Sequence, residues 1–178
     1  MMATTHVDLR LRATKRGIKT VVIHGVSVTS AAAGSTGLQS YKFGKTVTVP
    51  ILESGPPDET PYDIIKENSL RGLHTLVLLD VKADLRKYLL IKEALEQLLA
   101  IEAKRREHVA YEDRLVVGVA RIGANDEVVK GGSIKELIQY DFGGPPHSVI
   151  FPGHLHFIEA EALQLLANTN RTALEANP

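Results

Sequence analysis

Cysteine and tryptophan are both absent from this chain. Without cysteine there are no disulfide staples, no thiolate metal sites and no cysteine nucleophile. Aromatic residues make up only 5%, so a core must be built from Leu, Val, Ile and Ala. Neither sign of charge dominates. The 21 Lys and Arg balance 21 Asp and Glu, which leaves no electrostatic footprint for nucleic acid or for an anionic membrane surface. No apolar run nears the ~20 residues that span a bilayer, and MMATTHVDLRLRATKRG lacks the apolar stretch of a secretory signal. These deficits together predict a cytoplasmic protein with no direct nucleic-acid or membrane partner. Familiar signatures are missing too: no GxxxxGK[ST], no GxGxxG after a strand, no GxSxG and no HExxH. P-loop, dinucleotide-binding, α/β-hydrolase and zincin readings lose their main support.

What is present is an ordinary globular composition, 44% apolar and 24% charged over 178 residues, enough for one large or two small domains. Thr4 and Thr5 stand as caps before a helix that Gly17 ends. IKTVVIH, residues 18–24, has the β-branched make-up of a buried strand. SVTSAAAGSTGLQSY reads as a loop leading into a short helix, and KTVTVP as a strand stopped by Pro50. The Pro-, Gly- and acid-rich stretch 52–61 is the one clear linker, dividing residues 1–51 from residues 62–178.

Beyond the linker, PYDIIKENSLRG predicts a helix and HTLVLLDV a strand. A long amphipathic helix runs from Leu89 to about His108, with Ile91, Ala94, Leu95, Leu98 and Leu99 on one face. RLVVGVAR is a strand, Gly123 to Asp126 a turn, and Ser133 the cap of IKELIQYD. HSVIFP is a strand, LHFIEAEALQLLA the last helix, and NTNRTALEANP a frayed tail. Apolar strands alternating with helices predict an α/β fold on a mostly parallel sheet covered on both faces. Residues 1–50 are too few to cover their own apolar faces, so either the C-terminal unit and a partner subunit cover them or the chain begins in the middle of a domain.

Candidate sites are few. Among seven histidines only His154 and His156 lie close together. They lack a third ligand, so they read as loop and helix-start residues and no metal site is expected. Asp80, at the end of a strand, reads first as a turn or cap residue. Gly25-Val26-Ser27-Val28 follows a strand, where backbone groups and a hydroxyl hold a polar small molecule or simply make a tight turn. Pro145 and Pro146 either present His147 in a defined orientation or form a structural turn.

The order of VVIHGVSVTSAAAGSTGLQSYKFGKTVTVP, PYDIIKEN, GLHTLVLLDVKAD, EDRLVVGVARIG, IKELIQYDFGGPPHSVIFPG and LHFIEAEAL resembles the diphthine synthases. These belong to the methyltransferase class that includes the tetrapyrrole methylases. The resemblance implies a two-domain α/β homodimer with S-adenosylmethionine in a cleft and no metal. It also implies methylation of the amino group of a 3-amino-3-carboxypropyl-histidine on translation elongation factor 2, a step of diphthamide biosynthesis. Matched position by position, Met2, Ser27, Val28, Leu79, Ile122 and His147 correspond to cofactor contacts, and no catalytic residue is singled out. Residues 1–51 correspond to the remainder of the cofactor domain. Met1 stands where the family's Gly-Asp-Pro turn closes, so roughly the first third of the family pattern, with an aspartate expected at the cofactor, has no counterpart here. Two other readings are an inactive fragment of such an enzyme and a small-molecule methylase of the tetrapyrrole type. TGLQSYKFGKTVT weighs against the second.

Overall fold

The computed structural model describes residues 4–175. Helix α1 (Thr4–Lys15) starts at the first described residue, with both threonines inside its first turn rather than ahead of it, and Gly17 follows it at φ 69°. Residues 18–27 then run without regular structure up to helix α2 (Val28–Thr36). The strand expected at 18–24 does not form. A strand needs a hydrogen-bonded neighbour, and none of the described strands lies beside this segment.

Strand β1 (Val47–Val49) and helix α3 (Thr60–Leu70) flank the irregular Pro-rich stretch, with Asp58 accepting the Thr60 N–H. Strand β2 (Thr75–Leu79) precedes a small ribbon of β3 (Val81–Lys82) and β4 (Lys87–Tyr88). Helix α4 (Ile91–Arg105) is the long amphipathic helix, opened by Glu93 accepting from the Leu90 N–H. Strands β5 (Leu115–Ala120) and β6 (Val128–Ser133) form a hairpin, and Ser133 caps helix α5 (Ile134–Gln139). Strand β7 (His147–Phe151), helix α6 (Phe157–Leu166) and helix α7 (Arg171–Glu175) complete the order. Buried Ala173 holds α7 in place, where a frayed tail was expected.

Five strands form one sheet in the order β1-β2-β7-β5-β6. Only β1 and β2 run parallel, and the other three pairings are antiparallel. This corrects the expectation of a mostly parallel sheet. Continuous apolar strands report burial on two faces, not strand direction, and the unread strand VVKGGS turns β5 back on itself as a hairpin. The sheet is covered on both faces. Val77, Val116, Val149 and Phe151 point to α3, α4 and α5, while Leu76, Val117 and Ile150 point to α2 and α6. Residues on both sides of the 52–61 stretch share this core. Val49 and Ile51 pack on one face, Ala32 and Leu38 on the other. Among the described residues no helix is long and apolar enough to cross a membrane.

Candidate functional site

A cleft of about 570 Å³ opens where α2 begins, at the carboxyl ends of β2 and β5 and the amino end of β7. Ser27, Val28 and Ala31 form the wall on the α2 side. Leu78 and Leu79 come from the end of β2, Val119, Arg121, Ile122 and Gly123 from β5 and the turn after it, and Pro146 to Ser148 from the start of β7. Five of the six residues matched from the sequence thus meet in one place: Ser27, Val28, Leu79, Ile122 and His147. The sixth, Met2, lies outside the described residues.

Each contributor is held by identifiable bonds. The extended backbone of Ser27 makes it the N-cap of α2, with Oγ accepting from the Thr29 N–H at 3.4 Å. The helix therefore points its amino end at the cleft, where a negative group is favoured. His147 is buried, and both ring nitrogens are engaged. Nδ1 accepts from the Ile91 N–H at 3.4 Å, so Nε2 carries the proton and donates to the Gly144 carbonyl at 3.1 Å. Burial lowers its pKa and keeps the ring neutral. His147 is thus a fixed wall rather than an available proton acceptor.

Arg121 braces the same corner from a left-handed backbone conformation, φ 50°. Its guanidinium donates to Asp126 at 2.6 Å, to the Phe142 carbonyl at 2.8 Å and to the Gly144 carbonyl, tying the turn after β5 to the loop before β7. The Pro145–Pro146 peptide in that loop is cis. Sequence reading passed over Arg121 because its role depends on two loops that meet only in the fold.

The other sequence candidates are architectural. Asp80 accepts from the Ile51 and Val81 N–H groups and so closes the ends of β1 and β2. His156 caps α6 through Nδ1, and no group of three or more His, Cys, Asp or Glu able to hold a metal occurs among the described residues. The TGLQSYKFGK segment lies away from the cleft as a clasp. Lys42 reaches Glu159 Oε2 and the His154 carbonyl, each at 2.5 Å, and the Gln39 N–H donates to Glu159 Oε1 at 2.9 Å. Fully buried His74 donates from Nε2 to the same carboxylate at 2.9 Å, while its Nδ1 accepts from the Gly153 N–H. Phe43 stands edge-on to the His74 ring. The clasp anchors the far end of α2 and thereby fixes where Ser27 and Val28 sit.

The model of the tetrapyrrole (corrin/porphyrin) methylases matches residues 1–138. The chain is 49% identical to the diphthine synthase of Methanosphaera stadtmanae and 51% identical to that of Methanosarcina mazei. Each alignment covers 98% of this chain, but only 66% of the first relative and 67% of the second, so the chain spans about two thirds of their length. A crystal structure of diphthine synthase superposes with a TM-score of 0.86 at 37% identity, over 98% of this chain and 65% of that one. With its matched segments in the same order and its fold superposing on theirs, the chain belongs to the tetrapyrrole (corrin/porphyrin) methylase family, on the branch of the diphthine synthases.

Proposed function

We propose that the cleft binds S-adenosylmethionine and that the protein transfers methyl groups to the amino nitrogen of the 3-amino-3-carboxypropyl-histidine of translation elongation factor 2. The observation that carries this reading is the convergence of Ser27, Val28, Leu79, Ile122 and His147 on one cleft. Its size and mostly apolar lining suit a small cofactor held by shape and a few polar groups. The amino end of α2 suits the carboxylate of the methionine part. Leu79, Ile122 and His147 suit the adenosine. No metal is required in this scheme.

When bound, the cofactor supplies an electrophilic methyl group on a sulfonium, so the protein's task is alignment and exclusion of water. Leu78, Leu79, Val119 and Ile122 keep the cleft dry, and the Arg121 brace holds the His147 wall at a fixed distance from α2. The accepting amine must be unprotonated. Among the described residues no carboxylate lines the cleft, and the ring nitrogens of His147 are both occupied.

The test is calorimetric binding of S-adenosylhomocysteine, followed by labelled methyl incorporation into elongation factor 2 carrying the precursor side chain. Binding that is abolished by Ile122→Trp at the cleft rim, together with label on the factor, is expected. Label appearing on small tetrapyrroles alone would replace this substrate with the small-molecule one. We place the protein in the cytoplasm, and we read it as a homodimer because Val21, Ile23 and Val26 expose 77%, 91% and 88% of their surface. Clustered exposed apolar residues of this kind mark association surfaces.

A further inference from the structure

We infer that Ser148 is a specificity-determining residue that reads the heterocyclic base of the bound nucleoside, an inference that rests on the cofactor reading above. The strand register carries the argument. Ser148 of β7 pairs with Leu78 of β2 on one side and Val119 of β5 on the other. One row inward, Ile150 sits between Leu76 and Val117, and all three are buried beneath α2 and α6. Side chains two apart on a strand share a face, so Ser148 occupies the same face as Ile150, one row further toward the cleft. There the row Leu78–Ser148–Val119 lines the cleft, with Val119 still packed into the core under α2 and α6.

The residue type is the anomaly. Every other member of these two rows is Leu, Ile or Val, and the adjoining wall is Ala31 and Ile122. Ser148 is 8% exposed, and among the described residues its hydroxyl makes no hydrogen bond to the protein. The hydroxyl is not one of the buried polar atoms left without a partner, so it opens onto the cleft. A ligand that covers it must supply a hydrogen bond or leave it unpaired. An apolar trough with one hydroxyl at its floor suits a flat heterocycle whose faces are apolar and whose edge carries nitrogen acceptors and an amino donor. Ser27 and the start of α2 lie on another wall and serve the opposite, charged end of the ligand.

The experiment compares the chain with its Ser148→Ala variant for binding of S-adenosylhomocysteine. It then repeats the comparison with analogues that each lack one polar group of the base: the 1-, 3- and 7-deaza forms and the inosine form. Expected is a loss of roughly 10-fold or more for Ser148→Ala with the natural ligand, as one lost buried hydrogen bond gives, with one analogue binding both proteins equally. The thermal midpoint without ligand should stay level, since the hydroxyl opens onto the cleft and holds no other part of the fold. Equal affinity of the two proteins for S-adenosylhomocysteine overturns the role of Ser148 and leaves the cofactor reading intact. A loss that persists undiminished across every analogue overturns base reading as well. Absence of binding by the unmodified chain overturns the cofactor reading itself.

Discussion

Glu159 has a side chain with 0% exposure and accepts from Gln39 N, His156 N, Lys42 Nζ and His74 Nε2. Burial on its own would raise the carboxyl pKa, but the Lys42 ammonium and the surrounding N–H donors outweigh it and hold it at about 2. A carboxylate depressed in this way contributes stability above its unfolded pKa, and the contribution is lost as pH falls through about 4.5 toward 2. Glu159→Gln should therefore cost on the order of 3 kcal/mol near neutral pH and little near pH 2, read from urea midpoints across that range. A pH-independent difference would show that the pair is not ionic. The buried histidines work in a neighbouring window. His74 and His147 are both pushed below the ordinary histidine range, chiefly by burial. On unfolding they bind protons the native state refuses, so stability should fall as pH drops below ~6.5. His74→Gln with His147→Gln should flatten that part of the profile, whatever the variant's overall stability.

Helix α2 connects the two ends of this architecture, with Ser27 at the cleft and Gly37 at the clasp. Gly37 lies in the left-handed region at φ 73° and ends the helix, its N–H donating to the Ala33 carbonyl. A Cβ there would meet the Ala162 Cβ of α6 at 2.5 Å. Two costs combine in Gly37→Ala, the left-handed strain and the collision. The sum should be about 2 to 4 kcal/mol by urea unfolding. Adding Ala162→Gly should recover the collision part and leave the strain. No recovery in the double variant would mean that α2 does not rest on α6 at this point. At the other end, Ser27→Ala removes the cap and should cost about 1 kcal/mol. Ser27→Asn, which keeps an acceptor, should restore most of it.

At the scale of the whole molecule, two surfaces differ sharply. The sheet is sealed by helices on both faces, whereas α1 and residues 18–26 expose Val7, Leu9, Leu11, Ile18, Val21, Ile23 and Val26. So many exposed apolar side chains on successive segments favour association. Light scattering at micromolar concentration should give a mass above that of one chain, and Val21→Lys with Ile23→Lys should reduce it. The unfolding midpoint should scarcely move, because neither side chain packs into the core. A monomeric mass for the unmodified chain would refute the homodimer.

Local features decided what the amino-acid order could announce. Helices α3, α4, α5 and α6 were legible because their apolar spacing, first-turn acids and caps act within a few residues. The strands TVTVP, LVLL, LVVGVA and HSVIF were legible from their apolar, β-branched runs. Strand direction was not, because hydrogen bonding to a distant neighbour sets it. For the same reason IKTVVIH looked like a strand without being one, and VVKGGS was a strand that its two glycines concealed. The site divides similarly. Ser27, Val28, Leu79, Ile122 and His147 were named from the resemblance, and the fold gathers them into one cleft. Arg121 and Ser148 emerged only from the tertiary structure. The clamp of Arg121 exists because two loops meet, and the exposure of Ser148 to the cleft exists because β7 lies between β2 and β5 in one particular register.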